Sequence, residues 1–423
     1  MCIKLTICKK KPCKSISYFF GSLFFFCIFL SHPNAVLAQN APVTPETPEL
    51  VMPKEEASEA IAPRQEHQAP SSPATNNGGG GSLFGAFLSS YVAHSDGNLS
   101  EALKYLKDAY RKDPTNNQIA SQILILDITL GNMQDAIALA AKLQTLEKRE
   151  LIVDLLLSVE AIKAGRPTKA ATYLNASPSN SFEHIWSPLL LKWMEEGEAQ
   201  QEPVEISDIL EDESNVPTFV YYHAALLNDA RGFSELAEKQ YQQATGDLTR
   251  APFRALLAYI NLKARMNERE TIQQLLLDLG QQRPDMEELV RQEVPFLNHL
   301  ASYRQLPQKK FINTPEQGVA EVLLTMASML YTLDISQDIP LYLQMAIYLR
   351  EDFPTAQLML GNYFESMKLW REAGNEYGNV RNSGPLYLKS MIRYAYVLDT
   401  QEDTSGADKV IQQITNDFPT SMK

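Results

Sequence analysis

Two seven-residue stretches, GNLSEAL at residues 97–103 and GNMQDAI at residues 131–137, lie 34 positions apart in the chain. They share a Gly-Asn pair, an acidic residue and an alanine at matching places. The same Gly-to-Ala offset returns at Gly165 and Ala170, a further 34 residues along, and again at Gly232 and Ala237. Self-similarity at a fixed period of roughly 20–50 residues is the signature of repeat proteins. The sequence therefore predicts a chain of similar structural units.

Each unit is predicted to be a helical hairpin. Apolar residues recur at helical spacing in blocks of about 12–15 residues, and no block alternates as a strand would. We expect each Gly in the turn between two helices, where positive φ is cheap for glycine, and each Ala where the helices cross closely. A proline then ends the unit. One hairpin cannot bury its apolar stripe alone, so the units must stack.

The period returns near the C-terminus, where Ala373 precedes Ala407, and Pro385 precedes Pro419, by 34 residues. The whole pattern resembles the tetratricopeptide repeat (TPR) family. The small turn and crossing residues and the prolines carry the resemblance: Gly97, Ala102, Pro114, Gly131, Ala136, Gly165, Ala170, Gly232, Ala237, Gly361, Ala373, Pro385, Ala407 and Pro419. The resemblance implies an all-α fold, a right-handed α-solenoid of about nine or ten TPR-like helix-turn-helix repeats. The layout is similar to exported proteobacterial TPR-repeat proteins.

The repeat domain is predicted to span residues 83–423. Clear repeats occupy residues 83–184 and 354–421, and degenerate repeats occupy residues 185–353. The pattern departs most at the acidic residues 200–214 and at the hydrophilic residues 304–314. A break or a tightening of the superhelix would fall at one of these two places.

Residues 1–38 have the three parts of a secretory signal peptide. Five lysines precede an apolar run at residues 18–30, and a Val-Leu-Ala sequence follows at residues 36–38. We expect cleavage between Ala38 and Gln39. The alternative is an uncleaved anchor, although thirteen apolar residues fall short of the roughly 20 that span a bilayer. Residues 39–82 are predicted to be a disordered Pro/Gly-rich linker, because they offer no aromatic residue to a core.

All four cysteines lie in residues 1–38, so the mature chain is predicted to have none. Disulfides, zinc-thiolate sites and thiol nucleophiles are then excluded. Removing the five signal-segment lysines from 38 basic residues leaves 33 against 51 acidic ones, a net charge of −18. That balance repels nucleic acid and anionic lipid surfaces. Protein or peptide partners remain, and membrane contact is expected only through an uncleaved signal peptide.

The mature chain shows no catalytic constellation. Its five histidines are not arranged at metal-ligand spacing on one helix: His67, His94, His184, His223 and His299. It has no phosphate-binding Gly-Lys-Ser/Thr loop and no nucleophile elbow. We therefore predict that the protein is not an enzyme and holds neither a metal nor a cofactor.

Two candidate binding surfaces follow from the resemblance, which implies that the first helix of each unit lines a concave groove. In the first unit these positions are aromatic-rich and predict an apolar peptide groove: Phe84, Phe87, Tyr91 and His94. The alternative is that these side chains pack against a capping segment or the second unit.

The second surface lies in the last two units. There Asn362, Lys389 and Arg393 match part of the family's carboxylate clamp, which would hold a chain-terminal carboxylate or an acidic side chain. Leu358 stands where the clamp would need a lysine. The alternative is that the two cations pair with the protein's own carboxylates.

These observations predict a periplasmic TPR scaffold or adaptor that binds protein or peptide segments in the cell envelope. An inner-membrane-anchored form facing the periplasm is the alternative location. Two other functions stay open. One is a structural subunit of an envelope assembly with a large permanent interface, and the other is a non-catalytic helical partner of a cell-wall enzyme.

Overall fold

The computed structural model describes residues 82–145, 150–176, 183–195, 200–333, 337–380 and 385–418. The predicted signal peptide with its cleavage site at Ala38 and Gln39 lies outside the described residues, as do the predicted linker up to residue 81 and Pro419. Within the described ranges the chain forms eighteen α-helices and no β-strand. The prediction of an all-α solenoid is confirmed.

The helices follow one another through the whole described chain. In order they are α1 (Leu83–Ser95), α2 (Leu99–Lys112), α3 (Asn117–Thr129), α4 (Met133–Leu143), α5 (Leu151–Lys163), α6 (Pro167–Asn175), α7 (Glu183–Trp193), α8 (Thr218–Arg231), α9 (Ser234–Thr245), α10 (Phe253–Arg265), α11 (Arg269–Gln282), α12 (Pro284–Glu293), α13 (Pro315–Thr332), α14 (Ile339–Leu349), α15 (Pro354–Ser366), α16 (Trp370–Asn379), α17 (Pro385–Thr400) and α18 (Thr404–Asp417).

Most helices pair with a chain neighbour as a hairpin. In the described residues there are eight such pairs: α1–α2, α3–α4, α5–α6, α8–α9, α10–α11, α13–α14, α15–α16 and α17–α18. That is fewer than the nine or ten hairpins predicted. The difference arises because α7 is followed by short 3₁₀ turns at Ile206–Asp208 and Glu213–Asn215, and α12 by another at Pro295–His299.

Seven hairpin turns share one backbone geometry. In each, a residue with positive φ lies two positions before the second helix: Gly97 (73°), Gly131 (75°), Gly165 (67°), Gly232 (96°), Asn267 (60°), Lys368 (58°) and Glu402 (65°). The residue after it donates its N–H to a carbonyl five residues back, as Asn98 does to Ala93 O at 2.8 Å. This is the Schellman arrangement that closes a helix C-terminus. Gly232 and Asn267 place two of these turns within the degenerate region at residues 185–353.

The small residues of the repeat pattern lie inside the hairpins. The six alanines are all buried, none more than 4% exposed: Ala102, Ala136, Ala170, Ala237, Ala373 and Ala407. Space is equally short at Gly361, where an added Cβ would lie 2.4 Å from the Tyr377 ring. Pro114 lies in the exposed turn between α2 and α3, and Pro385 begins α17. The alanine positions and Gly361 are occupied by small residues because protein interiors are close-packed.

The solenoid closes on itself, because the α13–α14 hairpin packs back across α3, α5, α7 and α8. Residues 304–314, one of the two places expected for a break, come directly before α13. The contact is tight at Gly318 of α13, where an added Cβ would lie 2.2 Å from the indole ring of Trp193 in α7. Helices far apart in sequence thus share one apolar core.

Polar contacts hold the end of α14 against the end of α5. The Tyr348 hydroxyl donates to Glu160 Oε2 at 2.5 Å. The Lys163 ammonium lies 4.0 Å from the centroid of the Tyr348 ring and 3.4 Å from Glu351 Oε1. These partners are 185 to 188 residues apart. One side of α3 and of α5 is therefore covered by α14 of the same chain.

A buried ion cluster ties α8, α10 and α13 to the residue after α14. The Glu321 carboxylate is fully buried and accepts hydrogen bonds from the Arg254 guanidinium, from Arg350 Nη1 at 3.3 Å and from the Tyr222 hydroxyl at 3.2 Å. Burial lowers the pKa of Arg254 to about 10, which still leaves it charged near neutral pH. Two cations therefore face one buried carboxylate, and removing that carboxylate would leave them without their hydrogen-bonded anion.

Candidate functional site

The first helix, α1, forms one end of the solenoid and packs on α2. It begins after Ser82, whose Oγ accepts a hydrogen bond from Gly85 N at 3.0 Å and so caps the helix. Its thirteen residues include no Asp, Glu, Lys or Arg. Ala86 and Ser90 point inward and are buried. Because α1 has no charged residue, the side of the helix opposite Ala86 and Ser90 also carries apolar side chains.

The side of α1 opposite Ala86 and Ser90 is exposed. Phe84 is 73% exposed, Tyr91 is 70% exposed, and Leu88 and Val92 are each 50% exposed. Phe84, Leu88 and Tyr91 follow one another at spacings of four and three residues, so they form one stripe along the helix, opposite Ala86 and Ser90. We call Leu83, Phe84, Leu88, Tyr91 and Val92 the α1 outer face. A contiguous exposed apolar patch of this kind marks an interaction surface.

The four residues predicted for the first groove do not all share this face. Phe84 and Tyr91 lie on it, and Phe87 is half-buried and packs against the core. His94 is exposed near the end of the helix. Sequence analysis missed Leu88 and Val92, although apolar residues on both sides of α1 were the signal that could have identified them.

The predicted carboxylate clamp is engaged within the chain. The Arg393 guanidinium pairs with the Glu365 carboxylate, with Nε 3.0 Å from Oε2. The Tyr377 hydroxyl lies 2.7 Å from both Asn362 Oδ1 and Glu365 Oε2. Burial, together with the nearby Arg393 charge, lowers the pKa of Lys389 to about 8. Asn362 and Arg393 thus each have a partner within this chain.

A buried histidine, His223, joins two helices of the described chain. His223 is fully buried, and burial lowers its pKa to about 3, so the ring is neutral. Its Nε2 lies 3.0 Å from Thr325 Oγ1, a contact that joins α8 to α13. Among the described residues no cluster of three His, Cys, Asp or Glu side chains could hold a metal ion. None of the described helices combines the length and apolar character needed to cross a membrane.

Comparison with known proteins gives no family assignment. No family model and no curated protein matches the chain. Among solved structures, the Naa15/Naa10 complex bound to HypK-THB is similar at 14% identity over 80% of this chain and 54% of that chain, with a TM-score of 0.33. The chain therefore spans about half the length of that relative.

Two further solved structures are similar at comparable levels. Yeast Tom70 is 11% identical over 79% of this chain and 91% of that chain, with a TM-score of 0.23. The human IFIT1 dimer with m7Gppp-AAAA is 12% identical over 79% of this chain and 77% of that chain, with a TM-score of 0.24. The fold assignment above rests on the helices and turns of this chain alone.

Proposed function

We propose that this protein is a non-catalytic helical-repeat scaffold that binds protein partners through the α1 outer face. The observation that carries the proposal is the exposure of Phe84, Leu88 and Tyr91 on a helix with no charged side chain. In a chain with 89 charged residues among 423, a thirteen-residue helix without one is an unusual surface. An apolar exposed face stabilises a complex by leaving water on binding.

The rest of the architecture supports this choice of surface. In an open repeat array the concave groove would be the first place to seek a partner. Here α14 packs against α3 and α5, and Arg393 in α17 pairs with Glu365. The α1 outer face is free of such intramolecular cover within the described residues.

We place this scaffold in the periplasm, carried there by the predicted signal peptide and separated from it by the predicted linker at residues 39–82. The net acidic charge favours protein partners over nucleic acid and anionic lipid surfaces. The alternatives of a structural envelope subunit and of a non-catalytic partner of a cell-wall enzyme would use the same face. A permanent subunit would differ in holding one stoichiometric partner through purification.

Site-specific photo-crosslinking in the native host tests the proposal. A photoreactive benzoyl-phenylalanine replaces Phe84 in one strain and Leu277 in another. Leu277 lies on α11 and is 59% exposed, so it is a matched exposed apolar position far from α1 in sequence. We expect discrete protein adducts from position 84 and none of the same species from position 277. Identical adduct patterns at both positions, or no adduct at position 84, would refute binding at this face.

A further inference from the structure

Helix α16 connects the C-terminal repeats to the first hairpin of the chain. Just before α16 begins, Leu369 lies beside the α1–α2 turn, where an added Cβ on Gly97 would lie 3.4 Å from Leu369 Cδ2. The Arg371 guanidinium donates a hydrogen bond to Ser100 Oγ in α2, across 271 residues. Hairpin α15–α16 therefore docks on hairpin α1–α2.

Further along α16, Glu376 extends this contact to α3. Gln344 of α14 donates from Nε2 to Glu376 Oε1 at 3.3 Å and to the carbonyl oxygen of Thr129 in α3 at 3.2 Å. The same amide lies beside the α3–α4 turn, where an added Cβ on Gly131 would lie 3.3 Å from Gln344 Oε1. One side-chain amide thus joins α16, α14 and α3, and its two partners lie 215 and 32 residues from it.

The two helices that meet Glu376 through this amide bring it almost no charge. Helix α14 contains no Asp, Glu, Lys or Arg, and its titratable residues are Tyr342 and Tyr348. Helix α3 contains one charged residue, Asp127, which accepts a hydrogen bond from Lys107 Nζ at 2.9 Å. The surface that faces Glu376 from α14 and α3 therefore supplies a hydrogen-bond donor but no cation.

The charged side chains nearby in α15, α16 and α17 are paired with each other. Arg371 pairs with Glu372, one turn before Glu376, and Arg393 pairs with Glu365. Among the described residues no cation forms an ion pair with Glu376. Burial without a cation raises the pKa of the Glu376 carboxyl to about 7, although the hydrogen bond from Gln344 acts in the opposite direction.

We propose that Glu376 makes the docking of hairpin α15–α16 on the first two hairpins sensitive to pH. The neutral carboxyl accepts the Gln344 hydrogen bond through its carbonyl oxygen and brings no charge into the contact. When the proton leaves, the carboxylate is held away from water without a cation, which is costly. Separation of α16 from α14 and α3 returns the carboxylate to water and removes that cost.

The size of the effect follows from the two protonation equilibria. Glu376 has a pKa of about 7 in the docked chain, and its ordinary value of 4.5 applies once it is in water. The ratio of undocked to docked chains then rises on the order of a hundredfold between a pH below both values and a pH above both. This device goes beyond the proposed function, because it involves no residue of the α1 outer face.

Single-molecule energy transfer between two dyes measures the docking in solution. In the full chain, serine replaces the four native cysteines, which all lie in residues 1–38. Lys112→Cys in α2 and Asn379→Cys in α16 then carry the dyes, since both positions are exposed. We expect one high-transfer population well below pH 7 and a low-transfer population that grows as pH rises through about 7. Transfer that stays the same across this range would overturn the proposal.

Two controls identify the responsible group. Dyes at Asn379→Cys and Lys409→Cys, both on the C-terminal hairpins, should report no change with pH, and an equal change there would mean general unfolding and overturn the proposal. Glu376→Gln keeps the shape and can still accept the Gln344 hydrogen bond, but it cannot ionise, so we expect it to abolish the pH response. His94 of α1 is unchanged in this variant. A response that persists in Glu376→Gln would therefore assign the effect to another group and refute the role of Glu376.

Discussion

The close contact between α7 and α13 predicts that Gly318→Ala destabilises the folded chain, whereas Gly280→Ala stabilises it. Gly318 lies in the first turns of α13, and a Cβ there would lie 2.2 to 2.4 Å from three atoms of the Trp193 indole. Gly280 lies near the end of α11, where a Cβ would meet Glu287 Cγ at an ordinary 3.5 Å. Both glycines are helical without positive φ, so their backbones accept alanine equally.

The expected change in the free energy of unfolding combines two opposing contributions. Replacing a helical glycine by alanine stabilises the folded chain by about 0.5–1 kcal/mol, because alanine loses less backbone entropy on folding. Overpacking a filled core costs about 1–3 kcal/mol, and three ring contacts below 3.0 Å put Gly318→Ala at the upper end. The net expectation is a loss of about 2 kcal/mol for Gly318→Ala and a gain of about 0.5–1 kcal/mol for Gly280→Ala.

Urea unfolding and hydrogen exchange measure the two variants. We expect a lower unfolding midpoint for Gly318→Ala, with protection lost in both α7 and α13, and a higher midpoint for Gly280→Ala. Joint loss in α7 and α13 is the informative readout, because the two residues are 125 positions apart. If Gly318→Ala stabilised the chain as Gly280→Ala does, α7 and α13 would not be in contact and the closed arrangement would be wrong.

Three further predictions concern charge and processing. Glu321→Gln leaves two guanidiniums without their buried carboxylate, and we expect urea unfolding to show a loss of about 3–5 kcal/mol. Burial raises the pKa of Glu376 from its usual 4.5 to about 7, so the folded chain holds a proton that the unfolded chain releases in that range. The stability from this group is therefore present below about pH 4.5 and lost as pH rises toward 7, and urea titrations at several pH values should show a flatter profile for Glu376→Gln. Finally, intact mass of the protein from its native host should correspond to a chain that starts at Gln39, whereas a mass that includes Met1 would contradict cleavage.

Many of the helical hairpins could be predicted because small residues recur at their turns and helix crossings. Gly97, Gly131 and Gly165 mark their turns in the sequence, since glycine is favoured at positive φ. The same turn at Asn267, Lys368 and Glu402 gives no such mark, because the Schellman hydrogen bonds involve backbone atoms and tolerate these side chains at some strain. This is why the hairpin α10–α11 was predicted only as part of a degenerate region.

The hydrophilic residues 304–314 marked the place before the closing hairpin α13–α14, but the contacts that close the solenoid had no sequence signal. Gly318 and Trp193 meet across 125 residues, and Tyr348 and Glu160 across 188. Neither pair follows the repeat period, because that period reflects contacts within a unit and between neighbouring units.

Only part of the candidate binding face on α1 could be predicted from the sequence. Phe84 and Tyr91 were predicted from their groove positions, whereas the exposure of Leu88 depends on which side of α1 meets α2.

Zero-length crosslinking between Lys163 and Glu351 tests most directly whether the C-terminal helices close on the N-terminal repeats. Lys163 Nζ lies 3.4 Å from Glu351 Oε1, and both side chains are accessible to a carbodiimide at 33% and 88% exposure. We predict an amide between these two residues, formed within one chain when isotopically labelled and unlabelled chains are mixed. Lys163 linked only to carboxylates of α5 and its sequence neighbours, or linked to Glu351 only between labelled and unlabelled chains, would contradict the closed solenoid.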